Sequence, residues 1–259
     1  VVREKFDLIL YTMLIAAIAF ILVLILSLFK YSSLRDIANA MFSSEVIFAV
    51  KLSMATSIIA TIFAMCFAVP IGYVLARKEF LGKDFVDALL DLPLVMPPIA
   101  LGAALLIFFN TFGAGLDRAF SVVFTQKGIV VAQFTVILGF GIRFMKSSFE
   151  SLPKRYEEIA RTLGLSSFGS FAYVALPMSK SGIMAASILT WARAVGEFGA
   201  TVTLAGATKM KTETLPIAIF LKLATAEVEK AISVVLILIL IAVTGLIAVR
   251  KAFGKGYEV

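Results

Sequence analysis

The chain has 259 residues, 61% hydrophobic and 16% charged, which is too apolar for a soluble domain of this size and places it in a bilayer. Its net charge of +7 is spread over many loops, with no single basic stripe interleaved with aromatics, so nucleic acid is not a predicted partner. Histidine is absent and Cys66 is the sole cysteine, which excludes an intrachain disulfide and removes the usual residues for a metal site or a catalytic triad.

A membrane span needs about 20 apolar residues, and six runs qualify: residues 8–29, 46–76, 86–109, 128–149, 182–205 and 231–249. The first is read as a retained anchor, because it exceeds the apolar core of a cleaved signal peptide and the Ala38-Asn39-Ala40 triplet lies well beyond it. The second carries Pro70, and Lys51 lies about one turn in, where it can snorkel to the interface. The third begins with Asp87 and Asp91, whose charges suit a helix N-terminus, and contains Pro93, Pro97 and Pro98. Each internal proline removes a backbone hydrogen bond, which lipid tolerates only where neighbours or a cavity satisfy the freed carbonyl. The third and fifth spans are therefore candidates to line a cavity, with plain packing kinks as the alternative.

Residues 151–177 form a polar island between the fourth and fifth spans. Tyr156, Ile159, Ala160 and Leu163 share one face of a predicted amphipathic helix. Ser151 is the predicted cap and Gly164 the left-handed terminating residue; Ser166 and Ser167 offer a cap for a second helix, stopped by Pro177. The result is a compact helix-turn-helix suited to touching another protein.

In the fifth span Ala192, Gly196 and Ala200 recur every four residues, a small-residue face for a dimer seam or for packing within the chain. Arg193 and Glu197 lie mid-span, four residues apart on one face. Two readings stand: Arg193 on an anion path with Thr201 and Thr203 as hydroxyl donors, or an internal ion pair holding the helix to its neighbours. The following 212–216 segment caps a short helix toward Thr225, as a docking point for an external protein or as a plain loop.

An even number of spans puts both termini on one side. The loops on that side, with the polar island, hold most of the lysines and arginines, so termini and island are predicted to be cytoplasmic. No G-x-x-x-x-G-K-[ST] occurs, so any ATP chemistry belongs to a partner. The expected architecture is a single all-α membrane domain over residues 1–259, multi-pass in the cell membrane.

The spacing of Glu158, Ile159, Ala160, Gly164, Val174, Leu176 and Pro177 resembles the cytoplasmic E-A-A-x-x-x-G and I-x-L-P signature of ABC importer permeases. Ile159 stands for an alanine and Val174 for an isoleucine. The 91–98 stretch D-L-P-L-V-M-P-P and the 191–201 stretch W-A-R-A-V-G-E-F-G-A-T, followed by T-E-T-L-P, look like the molybdate/tungstate permeases, with sulfate permeases the nearest relatives.

The resemblance implies a binding-protein-dependent (type I) importer fold and a homodimer around a central path. It also implies two cytoplasmic ATPases that bind ATP and Mg, an external substrate-binding protein, and no cofactor, metal or catalytic residue in this chain. Glu158, Ala160, Arg161, Gly164, Ser166, Ser167, Phe168, Gly169, Leu176 and Pro177 would couple to the ATPase. Pro93, Pro97, Pro98, Arg193, Glu197, Thr201 and Thr203 would lie at the path or gate. A sulfate importer and an ATP-independent secondary anion transporter are the alternatives.

Overall fold

The computed structural model describes residues 2–30 and 34–253. Among these the chain is helical, without a strand. The first helices are α1 (Val2–Leu28), α2 (Leu34–Met41) and α3 (Ser44–Arg77), followed by α4 (Lys83–Val95), α5 (Pro98–Asn110), α6 (Ala114–Phe120) and α7 (Gln126–Glu150). The polar island forms α8 (Arg155–Thr162), α9 (Ser167–Ser170), a π-helical turn (Phe171–Ala175) and α10 (Leu176–Met178). The chain continues through α11 (Lys180–Val195), α12 (Gly199–Ala205), α13 (Leu215–Ala224) and α14 (Val228–Phe253).

Four of these helices are long and apolar enough to cross a membrane, and up to six spans result if each of two bent pairs counts as one. The side chains of α1 from Phe6 to Leu24 are all exposed, so this helix adds nothing to the core. The centre is the α3–α7 pair, with α11 against both. Gly72 permits that closeness: a Cβ there would stand 2.7 Å from Met145 Cβ and 2.8 Å from the Lys146 nitrogen. Leu75, Ile142, Met145 and Phe149 fill the core beside it.

Two predicted spans are broken. The third run is two helices, α4 and α5, whose axes differ by 108°. Met96 and Pro97 both adopt extended ψ values, as a residue before proline prefers. Pro98 then opens α5, where its missing N–H has no partner to lose. Pro93 and Pro70, by contrast, sit inside their helices without ending them.

The fifth run, expected as one helix over 182–205, stops at Val195 and resumes at Gly199. Glu197 explains how the break is tolerated: its Oε1 accepts the Ala200 N–H at 3.0 Å, satisfying a donor at the start of α12. The small-residue face is interrupted by the same break. Ala200 packs within the chain, against Gly102, whereas Gly196 is exposed with nearly open space beside it.

Two details of the polar island also differ from expectation. Ser151 does not cap α8; it ends α7, its hydroxyl donating back to the Ser148 carbonyl at 2.8 Å. Pro177 does not stop the second helix. The preceding π turn, closed by Leu176 N–H to Phe171 O, lets the helix absorb a residue without a donor, and the chain turns only at Ser179, by 71°. Ser166 does cap α9, accepting the Gly169 N–H at 3.0 Å.

Candidate functional site

At one end of the bundle α8 to α10 form a hairpin with two unlike faces. Gly164 has φ +93°, the left-handed conformation expected where α8 ends. Outward, Tyr156, Ile159, Leu163 and Phe168 are exposed, Leu163 at 81% and Phe168 at 75%. Glu158, Arg161, Ser166 and Ser167 are exposed with them. Contiguous exposed apolar side chains rimmed by polar ones mark a binding surface. Inward, Ala160 and Gly169 are buried, and Leu176 is half-buried. The predicted apolar face is thus divided: Ala160 supports the hairpin from below, and its three companions face out.

Glu157 is the residue that helical periodicity misses. It is buried, and its Oε1 accepts from Arg77 Nε at 2.7 Å while Oε2 accepts from the Tyr73 hydroxyl at 2.5 Å. Arg77 also donates to the Leu152 carbonyl at 3.0 Å. The one available signal is faint: Glu157 lies three residues before the buried Ala160, on the same side of the helix. Read only as a charge, it belongs in solvent.

Mid-bundle, the proline cluster and the charged pair come together. A Cβ on Gly199 would stand 3.0 Å from Pro98 Cβ and from the Ile99 nitrogen, so the break in the fifth run abuts the elbow of the third. Gly102 is pressed against Ala200 and Thr203 in the same way. Arg193 pairs with Glu197 at 2.7 Å; the Glu197 side chain is 1% exposed and that of Arg193 30%. The guanidinium also lies 5.7 Å from the centre of the Phe140 ring. Thr203 donates to the Gly199 carbonyl at 2.8 Å. Thr201 is buried, and its hydroxyl has no hydrogen-bond partner among the described residues.

Asp87 and Asp91 do more than open a helix. Arg143 on α7 bonds Asp91 and lies 3.2 Å from Asp87, and Lys146 reaches Asp87 at 2.7 Å, so α4 is tied to α7 by charge. At the end opposite the hairpin, Glu45 pairs with Lys209 and, at 3.2 Å, with Lys222, beside a cleft of about 420 Å³. The hydrogen bond to Glu45 holds the Lys209 ammonium above the ordinary lysine range, and that from Lys230 holds Glu227 below the usual carboxylate range. Thr214 occupies the position preceding α13 without a side-chain cap bond; Thr212 instead accepts the Thr208 N–H at 3.1 Å and closes the preceding loop.

Residues 68–252, including the hairpin, the α4–α5 elbow, the α11–α12 break and the α13 loop, match the family described as "Binding-protein-dependent transport system inner membrane component". The chain belongs to this family. It is a multi-pass membrane permease component, and such a component is not itself a catalyst. The permease is 36% identical over 194 residues to the molybdate/tungstate transport system permease protein WtpB of Thermococcus kodakarensis, covering 75% of this chain and 74% of that one. It is 33% identical over 183 residues to the sulfate transport system permease protein CysT of Escherichia coli, covering 69% and 66%. Its fold is similar to that of a bacterial alginate ABC transporter solved in complex with an alginate pentasaccharide-bound periplasmic protein. That match has a TM-score of 0.74 at 15% identity and covers 95% of this chain and 94% of the other.

Proposed function

We propose that this chain is the membrane subunit of an ATP-driven importer of a tetrahedral oxyanion, molybdate or tungstate. It works as a homodimer with two cytoplasmic ATPase subunits, which bind the ATP and Mg, and with an external substrate-binding protein. The observation that carries this reading is the hairpin: an exposed apolar rim on a buried, hydrogen-bonded base, at the signature spacing of Glu158 to Pro177. The name of the Thermococcus relative supports the substrate. The sulfate relative keeps a sulfate importer as the second reading.

In this proposal residues 1–259 form one permease domain of six spans, α1, α3, α4–α5, α7, α11–α12 and α14, with both termini on the cytoplasmic side together with the hairpin. Exposed α1 presents its apolar side chains outward, where lipid covers them in this reading. Glu158, Arg161, Ser166, Ser167 and Phe168 contact the ATPase; Ala160, Gly164, Gly169, Leu176 and Pro177 shape the hairpin that presents them. Closure of the ATPases moves the hairpins as rigid units and shifts the third and fifth spans between inward-open and outward-open states. Pro93, Pro97, Pro98, Arg193, Glu197, Thr201 and Thr203 are the path and gate residues. A lone proton-coupled transporter needs a buried acid free to titrate, and Glu197 is engaged by Arg193 and the Ala200 N–H.

The test is reconstitution of the complex with its binding protein, followed by comparison of ATPase stimulation by molybdate, tungstate and sulfate. Stimulation by sulfate alone overturns the assignment. Phe168→Asp is expected to weaken ATPase association about thirtyfold, the effect of losing a ~2 kcal/mol contact. Undiminished copurification over a dilution series would remove the hairpin tip from the interface.

A further inference from the structure

We propose that the buried Glu157 carboxylate, gripped by Arg77 and Tyr73, is the joint through which the hairpin drives α3 and, through α3, the opposite end of the bundle. This rests on the reading of the hairpin as the ATPase-docking surface and assigns positioning roles to three residues recessed beneath that surface.

Glu157 lies beneath that face, in a cleft that it, Tyr73 and Arg77 share with Glu158, Arg161 and Ser167. Its two carboxylate oxygens are taken separately, one by Arg77 Nε and one by the Tyr73 hydroxyl, from successive turns of α3. Arg77 holds the Leu152 carbonyl with a second nitrogen, and the Ser170 hydroxyl donates to the Glu157 carbonyl at 3.3 Å. The linker before α8, α8 itself and α9 are thereby tied to one place on one helix. The Tyr73 ring adds packing, with its centre 5.3 Å from Phe149 and 4.6 Å from Phe171, the first residue of the π turn.

Apolar contacts alone permit sliding, whereas a charge-assisted pair sheltered from water has fixed direction and register. What is attached matters equally. α3 runs unbroken for 34 residues, about 51 Å at 1.5 Å per residue. Near its other end the Ser53 hydroxyl accepts the Leu215 N–H at 2.8 Å, and Glu45 holds Lys209 and Lys222. A displacement applied at Arg77 is delivered to the 206–214 loop and α13, because a packed helix moves as a unit.

The experiment uses the full complex in proteoliposomes, with the ATPase that copurifies with the wild-type chain, its binding protein, and tungstate as cargo. It reads tungstate imported per ATP hydrolysed, beside ATPase copurification. Tyr73→Phe removes one hydroxyl and keeps the ring; Glu157→Gln keeps the shape and removes the charge. Both are expected to copurify with the ATPase and hydrolyse ATP, while tungstate per ATP falls about threefold for the first and about tenfold for the second, as for loss of hydrogen bonds of ordinary net strength. Arg77→Glu combined with Glu157→Arg is expected to recover part of the ratio lost in either single reversal.

An unchanged ratio in Glu157→Gln overturns the proposal, and so does a parallel fall in hydrolysis and transport, the mark of a static brace. Should Glu157→Gln fail to assemble, an unchanged ratio in Tyr73→Phe overturns it instead. Absence of any ATPase from the wild-type preparation sinks the docking reading and this proposal with it. An unchanged ratio in variants that assemble with the ATPase sinks the joint alone.

Discussion

Arg193→Gln is expected to destabilise the permease by about 3 kcal/mol, and adding Glu197→Gln to return most of that loss. The asymmetry of burial is the reason. Glu197 is 1% exposed, so removing its cation leaves a carboxylate facing the interior with only the Ala200 N–H for compensation. Arg193 is 30% exposed and beside the Phe140 ring, which places the cost at the low end of the range for buried pairs. In the double variant no charge is stranded, and the amide oxygen of the new side chain at position 197 can still accept the Ala200 N–H.

Thermal unfolding of the detergent-solubilised protein measures the first part, and a double-mutant cycle extracts the coupling. Transport then separates the two roles of Arg193. Recovery of import together with stability makes the pair a brace for the α11–α12 break. Recovered stability with import still absent places the guanidinium on the anion path. A double variant as unstable as Arg193→Gln alone contradicts the argument from burial.

Gly102→Val is the second large effect. Even the first carbon of a side chain would stand 2.8 Å from Ala200 Cα, Ala200 O and Thr203 Cβ. Two of those atoms are backbone and the third is the branch point of a short side chain, so relief requires α5 and α12 to separate. Overpacking of this kind costs about 1–3 kcal/mol, and valine, with two further methyls, belongs at or above the upper end. Because the contact joins the elbow of the third span to the break in the fifth, import should be lost more completely than assembly. Gly115→Ala is the control: a Cβ there meets nothing within 4 Å, and a change beyond about 0.5 kcal/mol is not expected. Equal effects at the two glycines would remove helix contact as the explanation.

Much of the architecture was legible from residue type alone. Long apolar runs can satisfy their backbone in lipid only as helices, so the helical class and the approximate positions of the spans follow from hydropathy. The hairpin was legible for a local reason: Gly164 and Ser166 end and begin helices through bonds to residues three or four positions away. Ser151 shows the limit of such reasoning. Its hydroxyl had an equally local partner on the preceding helix, and the length of α7 decided between them.

The breaks mark the next boundary. The Pro97-Pro98 pair announced a disturbed helix, but a kink and a 108° elbow cost similar local bonds; the elbow stands because α4 is tied by Asp87 and Asp91 to α7 while α5 is packed on α12. Likewise, the four-residue spacing of Arg193 and Glu197 left an ion pair as one of two readings. That Glu197 would also cap a new helix depended on the chain breaking there.

By itself, then, the sequence determined what local bonding and the bilayer enforce: helices, their rough limits, the hairpin turn, and two opposite charges on one helical face. Only the tertiary structure decided which face of α8 is buried, that Glu157 meets Arg77 and Tyr73 from a distant stretch of α3, and that the two broken spans abut. These last depend on which helices lie side by side, and a buried carboxylate looks like any surface glutamate until its partners arrive from another part of the chain.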